Sequence, residues 1–393
     1  MFIVGIDIAK RAHEAAILAQ DGTVVQKPFS FKNDSDGFAK LLSILNAVSE
    51  DKTEFVFGME ATGHYWLNLY CKLVDKGFKV HVVNPVQSDA LRNLYIRKTK
   101  TDKVDAKIIA DLIRFGRFSE TVLAKPDVVA LRELTRQRFY LVDCTSDVKR
   151  KVISLVDKVF PEYEEIFSDM FGATSIELLA KYTTPDDLVS VSTARLANFL
   201  IKVSKGRFGQ EKAQEIKRFA KNSFGSSIFN ESSVFSIRQY LEQIELLEKQ
   251  ISDLDKYVCE TLKAIPQTLT TIPGIGSTIA AVLVAEIGDI SRFESPDKLA
   301  AFAGIDPTVK QSGQFTGDKA RMSKRGSPYL RRALYLAAVS CNLHNEAMHA
   351  IYLKKRAEGK HHNVALSAIS RKLVNIIFNL LKTQKSYIMV HPA

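Results

Sequence analysis

The run Lys98-Thr99-Lys100-Thr101-Asp102-Lys103-Val104-Asp105-Ala106-Lys107 is polar and lysine-rich, and it leads directly into the apolar residues Ile108, Ile109, Leu112 and Ile113. This is the pattern of a loop entering an amphipathic helix, with Thr101 or Asp102 as its N-cap. Asp102 and Asp105 stand three apart, so a helix places them side by side on one face. Carboxylates set among lysines suit a place where a hard cation meets a polyanion. Taken alone, the run also reads as a solvated, mixed-charge helix start. Two acidic residues upstream weigh against that blander reading.

The first of them is Asp7, which interrupts the buried apolar run 2–9 (FIVGIDIA). A hairpin signal follows, with its turn at Asp21-Gly22, so residues 2–31 read as strands. An unpaired carboxylate buried in such a strand costs several kcal/mol, so Asp7 faces a metal or a cleft, or else caps a turn at the strand end. Residues 35–49 read as a helix with Phe38, Leu41, Leu42 and Leu45 on one face. A second buried strand, 55–59, ends at Glu60; a loop with His64 leads into a helix over 65–76, and a third strand from 79 is closed by Pro85. Together these elements describe an α/β layer. Asp7 and Glu60, both at strand ends, can converge on a cleft at one edge of the sheet.

The chain has 393 residues, enough for about two or three domains and a substantial core. Apolar content of 46% and charged content of 25% are ordinary, but a net charge of +11 favours a polyanionic partner, nucleic acid before an acidic membrane. Cys71, Cys144, Cys259 and Cys341 are far apart, which suggests neither a zinc site nor a disulfide framework and fits a reduced, cytoplasmic setting. No apolar stretch reads as a membrane span.

Downstream, Leu131, Leu134, Arg138, Leu141 and Val148 predict a long amphipathic helix laden with Arg132, Arg136, Lys149, Arg150 and Lys151, ended by Phe160-Pro161. Residues 162–228 give mixed helical signals, and their basic stretch 202–221 reads first as a solvated face. Ile237, Ile244, Ile251 and Val258 recur every seven residues, with Tyr240, Leu247 and Leu254 between them, a coiled-coil seam. Its partner is either the helix from 128 or another subunit; we expect a helical hairpin that dimerises. Ile272-Pro273-Gly274-Ile275-Gly276 looks like a helix-hairpin-helix turn, in which Gly274 and Gly276 leave backbone N–H groups free for a phosphate, or like a plain turn between packed helices. From Lys310 to Arg332 there are seven basic residues (Lys310, Lys319, Arg321, Lys324, Arg325, Arg331, Arg332) and one acidic residue, Asp318. Such a loop can approach a phosphate backbone closely, and a serine within it, Ser312, ordinarily just bonds a phosphate or caps a helix.

Asp7, Glu60, Asp102 and Asp105, in that order on strand, strand and helix, resemble the acidic constellation of the RNase H-like, RuvC-type fold. The segments GIDIAK (5–10), GMEATGHYW (58–66), VNPVQSDALR (83–92) and KTDKVDAKIIADL (100–112) resemble the N-terminal half of the IS110-family transposases, DEDD recombinases of bacterial insertion sequences. AGIDP with QSG (303–313), followed by SKRG and LRRALY (323–335), is similar to their C-terminal domain. The resemblance implies a RuvC-like α/β domain over 1–125, a helical and coiled-coil region over 126–264, and a mostly α transposase domain over 265–393. It further implies that Ser312 is a nucleophile and that the four carboxylates hold Mg²⁺. Lys98, Lys100, Lys103, the two glycines and the basic residues of 310–332 are expected to contact nucleic acid. In that family the acidic site and the serine form a composite site within a tetramer built from dimers, and a structured guide RNA selects the DNA; a bacterial, nucleoid-associated protein is implied. Two rivals share some of these features. One is a metal-dependent, Holliday-junction-resolvase-like nuclease in which water attacks; the other is a non-catalytic nucleic-acid scaffold.

Overall fold

Alternation in the first strand sets the architecture of the N-terminal region. In β1 (Phe2–Asp7), Val4 and Ile6 point to one side of a sheet and Ile3, Gly5 and Asp7 to the other. The computed structural model describes residues 1–61, 63–83, 85–92, 102–116, 125–226, 228, 230–308, 311–312, 315–316 and 321–388. The chain falls into two units, Met1–Leu123 and Ala124–Ala393.

In the first unit, β1 is central. It pairs antiparallel with β2 (Ala12–Ala19), which pairs antiparallel with β3 (Val24–Lys32). After α1 (Ser35–Val48) the chain returns as β4 (Phe55–Glu60), parallel to β1. After α2 (Trp66–Asp75) it adds β5 (Lys79–Val83), parallel to β4, giving the mixed order β3-β2-β1-β4-β5. Leu41 and Leu45 of α1 and Leu69 and Leu73 of α2 bury one face, against Val4, Ile6, Phe57 and Met59. The chain continues into α3 (Pro85–Arg92) and α4 (Asp102–Phe115). Ala110, Leu112 and Ile113 of α4 cover the other face, against Ile3, Leu18 and Val56. The third strand ends before Pro85, as expected, and that proline also opens α3.

Two glycines let α4 lie directly on the sheet. A Cβ on Gly5 would stand 2.1 Å from the Ala106 carbonyl oxygen and 2.4 Å from the Ala110 nitrogen, and one on Gly58 would stand 2.3 Å from Ile113 Cγ1. Gly5 and Gly58 are register partners on neighbouring strands, so the groove they make runs under the helix axis. Gly5→Ala is therefore expected to destabilise this unit by about 3 kcal/mol or more, since the clash is with backbone that cannot rotate away. Urea unfolding measures this, and a loss under about 1 kcal/mol would contradict the close packing.

The second unit is helical. Its spine is α5 (Pro126–Val159), which returns through α6 (Tyr163–Ile166), α7 (Ala173–Lys181), α8 (Pro185–Ser190), α9 (Thr193–Val203) and α10 (Gln210–Lys221) to α11 (Asn230–Lys263). Ion pairs Arg138–Asp255 (2.5 Å) and Lys149–Glu248 (2.8 Å) show α5 and α11 running antiparallel. The heptad residues Ile237, Ile244, Leu247 and Val258 are buried along this pair, so the partner of the seam lies within the chain. One core gathers Val148, Val152 and Val156 with Ile237 and Ile244 and with Leu178, Leu188, Leu200 and Ile216 of the intervening helices. A second core joins Leu131, Phe139, Val258 and Leu262 to the C-terminal helices α12 (Ser277–Ile287), α13 (Pro296–Ala303), α14 (Pro328–His344), α15 (Glu346–Ala357) and α16 (His362–Thr383). α16 is long and apolar enough to cross a membrane, which the sequence reading did not anticipate. Here it is a core helix, with Leu366, Ile369, Leu373 and Ile377 buried against that cluster.

Candidate active site

β1 and β4 end together, and the register that pairs Ile6 with Met59 brings Asp7 and Glu60 side by side on the α4 face of the sheet. α4 begins on the same face, with Asp102 and Asp105 in its first turn, where the positive end of the helix dipole favours carboxylates. Asp105 is buried and Asp102 exposed. Burial first, then the charges of Asp105, Asp102 and Glu60, push the Asp7 carboxyl up to about 6. The four sequence-predicted carboxylates therefore share one electrostatic environment. Among the described residues, no three acid, histidine or cysteine side chains stand close enough to ligate one ion without moving. The donor set is nonetheless all oxygen and concentrated in charge, the chemistry that a hard divalent cation requires.

Two neighbours were missed. The Ser88 hydroxyl of α3 donates to Glu60 Oε2 at 2.7 Å, with the Pro85 carbonyl oxygen 2.9 Å away. Ser88 lies within VNPVQSDALR, but the pattern gave no sign that a helix there points at Glu60. Glu14, opposite Asp7 across the β1–β2 ladder, holds a buried Oε2 without a hydrogen-bond partner. Strand alternation from the Asp21-Gly22 turn could have flagged it. His64 is exposed and rests against Tyr65, ring centres 4.3 Å apart.

Ser312 belongs to the second unit. It lies in β6 (Gln311–Ser312), paired with β7 (Phe315–Thr316) as a small hairpin. The stem is fixed by Thr308 N–H donating to the Arg321 carbonyl (2.7 Å), Ser323 N–H to the Asp306 carbonyl (2.8 Å) and a bridge between Pro307 and Met322. Its foot turns at Gly304, φ +67°, while a Cβ on Gly326 would sit 1.7 Å from the Phe302 carbonyl oxygen.

The basic residues divide. Arg321, Lys324 and Arg325 are exposed beside the stem. Arg331 donates to the Ala303 carbonyl (3.2 Å), and Arg332 makes a two-pronged pair with Asp143 (2.7 and 2.8 Å) while lying over the Phe139 ring. These two hold helices together. Lys103 lies in the first turn of α4. Lys98, Lys100, Lys310 and Lys319 lie outside the described residues. Gly274, φ +96°, packs so tightly on α14 that a Cβ would meet Cys341 Cα at 2.7 Å, whereas Gly276 caps α12 with open space around it.

The model of the IS110 DEDD transposases, described as transposase, matches residues 4–161. That of the Transposase IS116/IS110/IS902 family matches residues 266–353. Among curated relatives, the uncharacterized 44.8 kDa protein of insertion element IS116 from Streptomyces clavuligerus is 26% identical over 99% of this chain and 96% of its own length. The 42 kDa protein of insertion element IS900 from Mycobacterium paratuberculosis is 28% identical over 99% of this chain and 97% of its own. The pilin gene-inverting protein of Moraxella bovis is 24% identical over 98% and 97%. The carboxylate face lies inside the first matched segment and the serine hairpin inside the second; the chain carries both IS110-family transposase domains, in order.

Proposed function

We propose that this protein is a transposase or recombinase that cuts and rejoins DNA strands. The observation that carries the proposal is the convergence of Glu60, Asp102 and Asp105 on Asp7, a half-buried carboxyl raised by its burial and by their like charges. The relatives named for insertion elements and for pilin gene inversion support the same class of chemistry. The mixed sheet with acidic residues at the ends of two adjacent parallel strands supports the RNase H-like reading of the first unit.

In this reading Asp7, Glu60, Asp102 and Asp105 hold Mg²⁺. The ion, when bound, neutralises charge on the scissile phosphate. Ser312 acts as the nucleophile: its oxygen forms an ester to phosphorus as the P–O bond to the departing strand breaks, and its proton passes to the departing oxygen or to solvent. The ester conserves the energy of the broken bond, so strands can be resealed without ATP. Arg321, Lys324 and Arg325 hold the DNA backbone at the hairpin. A structured guide RNA and a dimer that assembles to a tetramer complete the reading; family resemblance and the net charge of +11 support the RNA.

The test is labelled element-end DNA incubated with protein, the flanking-element RNA and Mg²⁺, then denatured. A protein–DNA adduct that needs Mg²⁺ is expected. Cut DNA with no adduct would move the protein to the hydrolytic, resolvase-like nucleases. Ser88 offers a finer check, because a hydrogen-bonded ligand carboxylate is better oriented. Ser88→Ala is expected to weaken Mg²⁺ binding about tenfold. Titration calorimetry reads this directly, and unchanged affinity would show that Ser88 does not position Glu60.

A further inference from the structure

Beneath the foot of the serine hairpin, two arginines stand together with little to balance them. Arg132 of α5 and Arg292, from the short turn between α12 and α13, are both only partly exposed. The nearest buried acid, Glu286, is already taken. Arg136 grips it with two hydrogen bonds (2.7 and 3.1 Å), and the Ser327 hydroxyl adds a third at 2.8 Å. Asp289 spends a carboxylate oxygen on the Ser291 N–H at 2.8 Å, and Glu133 is exposed.

Arg132 donates Nε to the Ala285 carbonyl oxygen at 2.9 Å. The Arg292 guanidinium lies 4.6 Å from the centre of the Phe293 ring and 4.4 Å from that of Phe302, and its Nε is buried with no hydrogen-bond partner. Among the described residues, neither arginine forms an ion pair. Desolvation holds both below the usual guanidinium range; Glu286 and Glu133 oppose this at Arg132, where Arg136 adds to it, and Asp289 and Glu286 oppose it at Arg292, where Arg132 adds to it. A half-buried pair of like charges is costly unless an anion joins it. Guanidinium forks match the geometry of phosphate oxygens, and rings behind them hold the fork flat.

We propose that Arg132 and Arg292 form a binding site for one phosphate of the DNA backbone. The site lies at the foot of the hairpin: Phe302, which lies against Arg292, also accepts the Ser327 N–H at 2.8 Å at the turn from which the hairpin rises. A strand phosphate held here would fix the register of the DNA against Ser312. The inference rests on the DNA-recombinase reading above for its choice of ligand.

The experiment measures binding of a fluorescent DNA duplex by the full chain across a salt series, for wild type, Arg132→Gln, Arg292→Gln and the double variant. Each neutralised phosphate contributes about 0.9 to the logarithmic salt slope, so losing one lowers affinity about eightfold at 0.1 M salt. The double variant is expected to lose about one unit of slope, with Arg292→Lys retaining most of it. In parallel, inorganic phosphate at fixed ionic strength is expected to raise the melting temperature of the wild type but not of the double variant. Variants that fold and bind DNA with the wild-type slope would overturn the site, as would an equal response to phosphate. If wild type itself shows no salt-dependent DNA binding, the DNA reading falls, and the phosphate melts alone decide whether the arginine pair takes an anion.

Discussion

Ser312→Ala is expected to abolish the covalent protein–DNA adduct and to lower strand exchange by roughly four orders of magnitude or more, the scale seen when a catalytic nucleophile is removed. DNA binding should survive. The hairpin that carries Ser312 is held at its stem by the backbone bonds Thr308–Arg321 and Ser323–Asp306. Arg321, Lys324 and Arg325 remain exposed in the variant. The informative readout is therefore the split between binding and adduct formation, measured on the same preparation by anisotropy and by denaturing gel. An active Ser312→Ala enzyme would remove the nucleophile assignment and leave the carboxylate site standing.

Asp7→Asn is expected to slow cleavage by about 10³-fold and to weaken its dependence on Mg²⁺. The same substitution should make the metal-free protein more stable at neutral pH, and the sign can be worked out. The Asp7 carboxyl is raised to about 6 from an ordinary 3.8, so between these values the folded state binds more protons than the unfolded chain. Stability from this group therefore falls as pH rises from about 4 to 6, and ionised Asp7 is a burden above that. In chelator, wild type should lose stability across that window more steeply than Asp7→Asn. Adding Mg²⁺ at pH 7 should restore wild type and leave the variant nearly unmoved. Thermal melts at several pH values read both effects. A wild-type profile parallel to that of Asp7→Asn would mean that Asp7 is not burdened by its neighbours.

How much of this was legible in the sequence depended on whether a signal was local. The buried apolar runs of β1 and β4 are local signals and the structure buries them. The period-seven pattern of α11 is local too, and Ile237, Ile244, Leu247 and Val258 are buried, but Leu241 is buried in place of the expected Tyr240 and Ile251 and Leu254 are only half-buried. The convergence of Asp7, Glu60, Asp102 and Asp105 followed from strand ends and a helix start, again local features. Ser88 and Glu14 depend on which elements become neighbours: one on a helix hidden behind a proline, the other on ladder register. The roles of Arg331 and Arg332 were equally invisible. A basic run looks the same whether its side chains meet solvent or, like Arg332, a carboxylate 189 residues away in sequence. Gly274 shows the reverse case: a residue read as freeing backbone for a ligand is also required by the approach of a neighbouring helix.

The paired helices α5 and α11 have a mechanical consequence. Each has 34 residues, and at about 1.5 Å per residue each is about 50 Å long. The small helices α6 to α10 are built on one end of this rod and the serine-bearing helical domain on the other, with both cores sharing the same two helices. Nothing between them can act as a hinge without breaking helical hydrogen bonds. A torque applied at the far tip would thus be carried along both helices toward the hairpin, as through a crankshaft. Equally, residues added or removed at that tip would fall in the core built on α6 to α10 and not in the one that carries the hairpin.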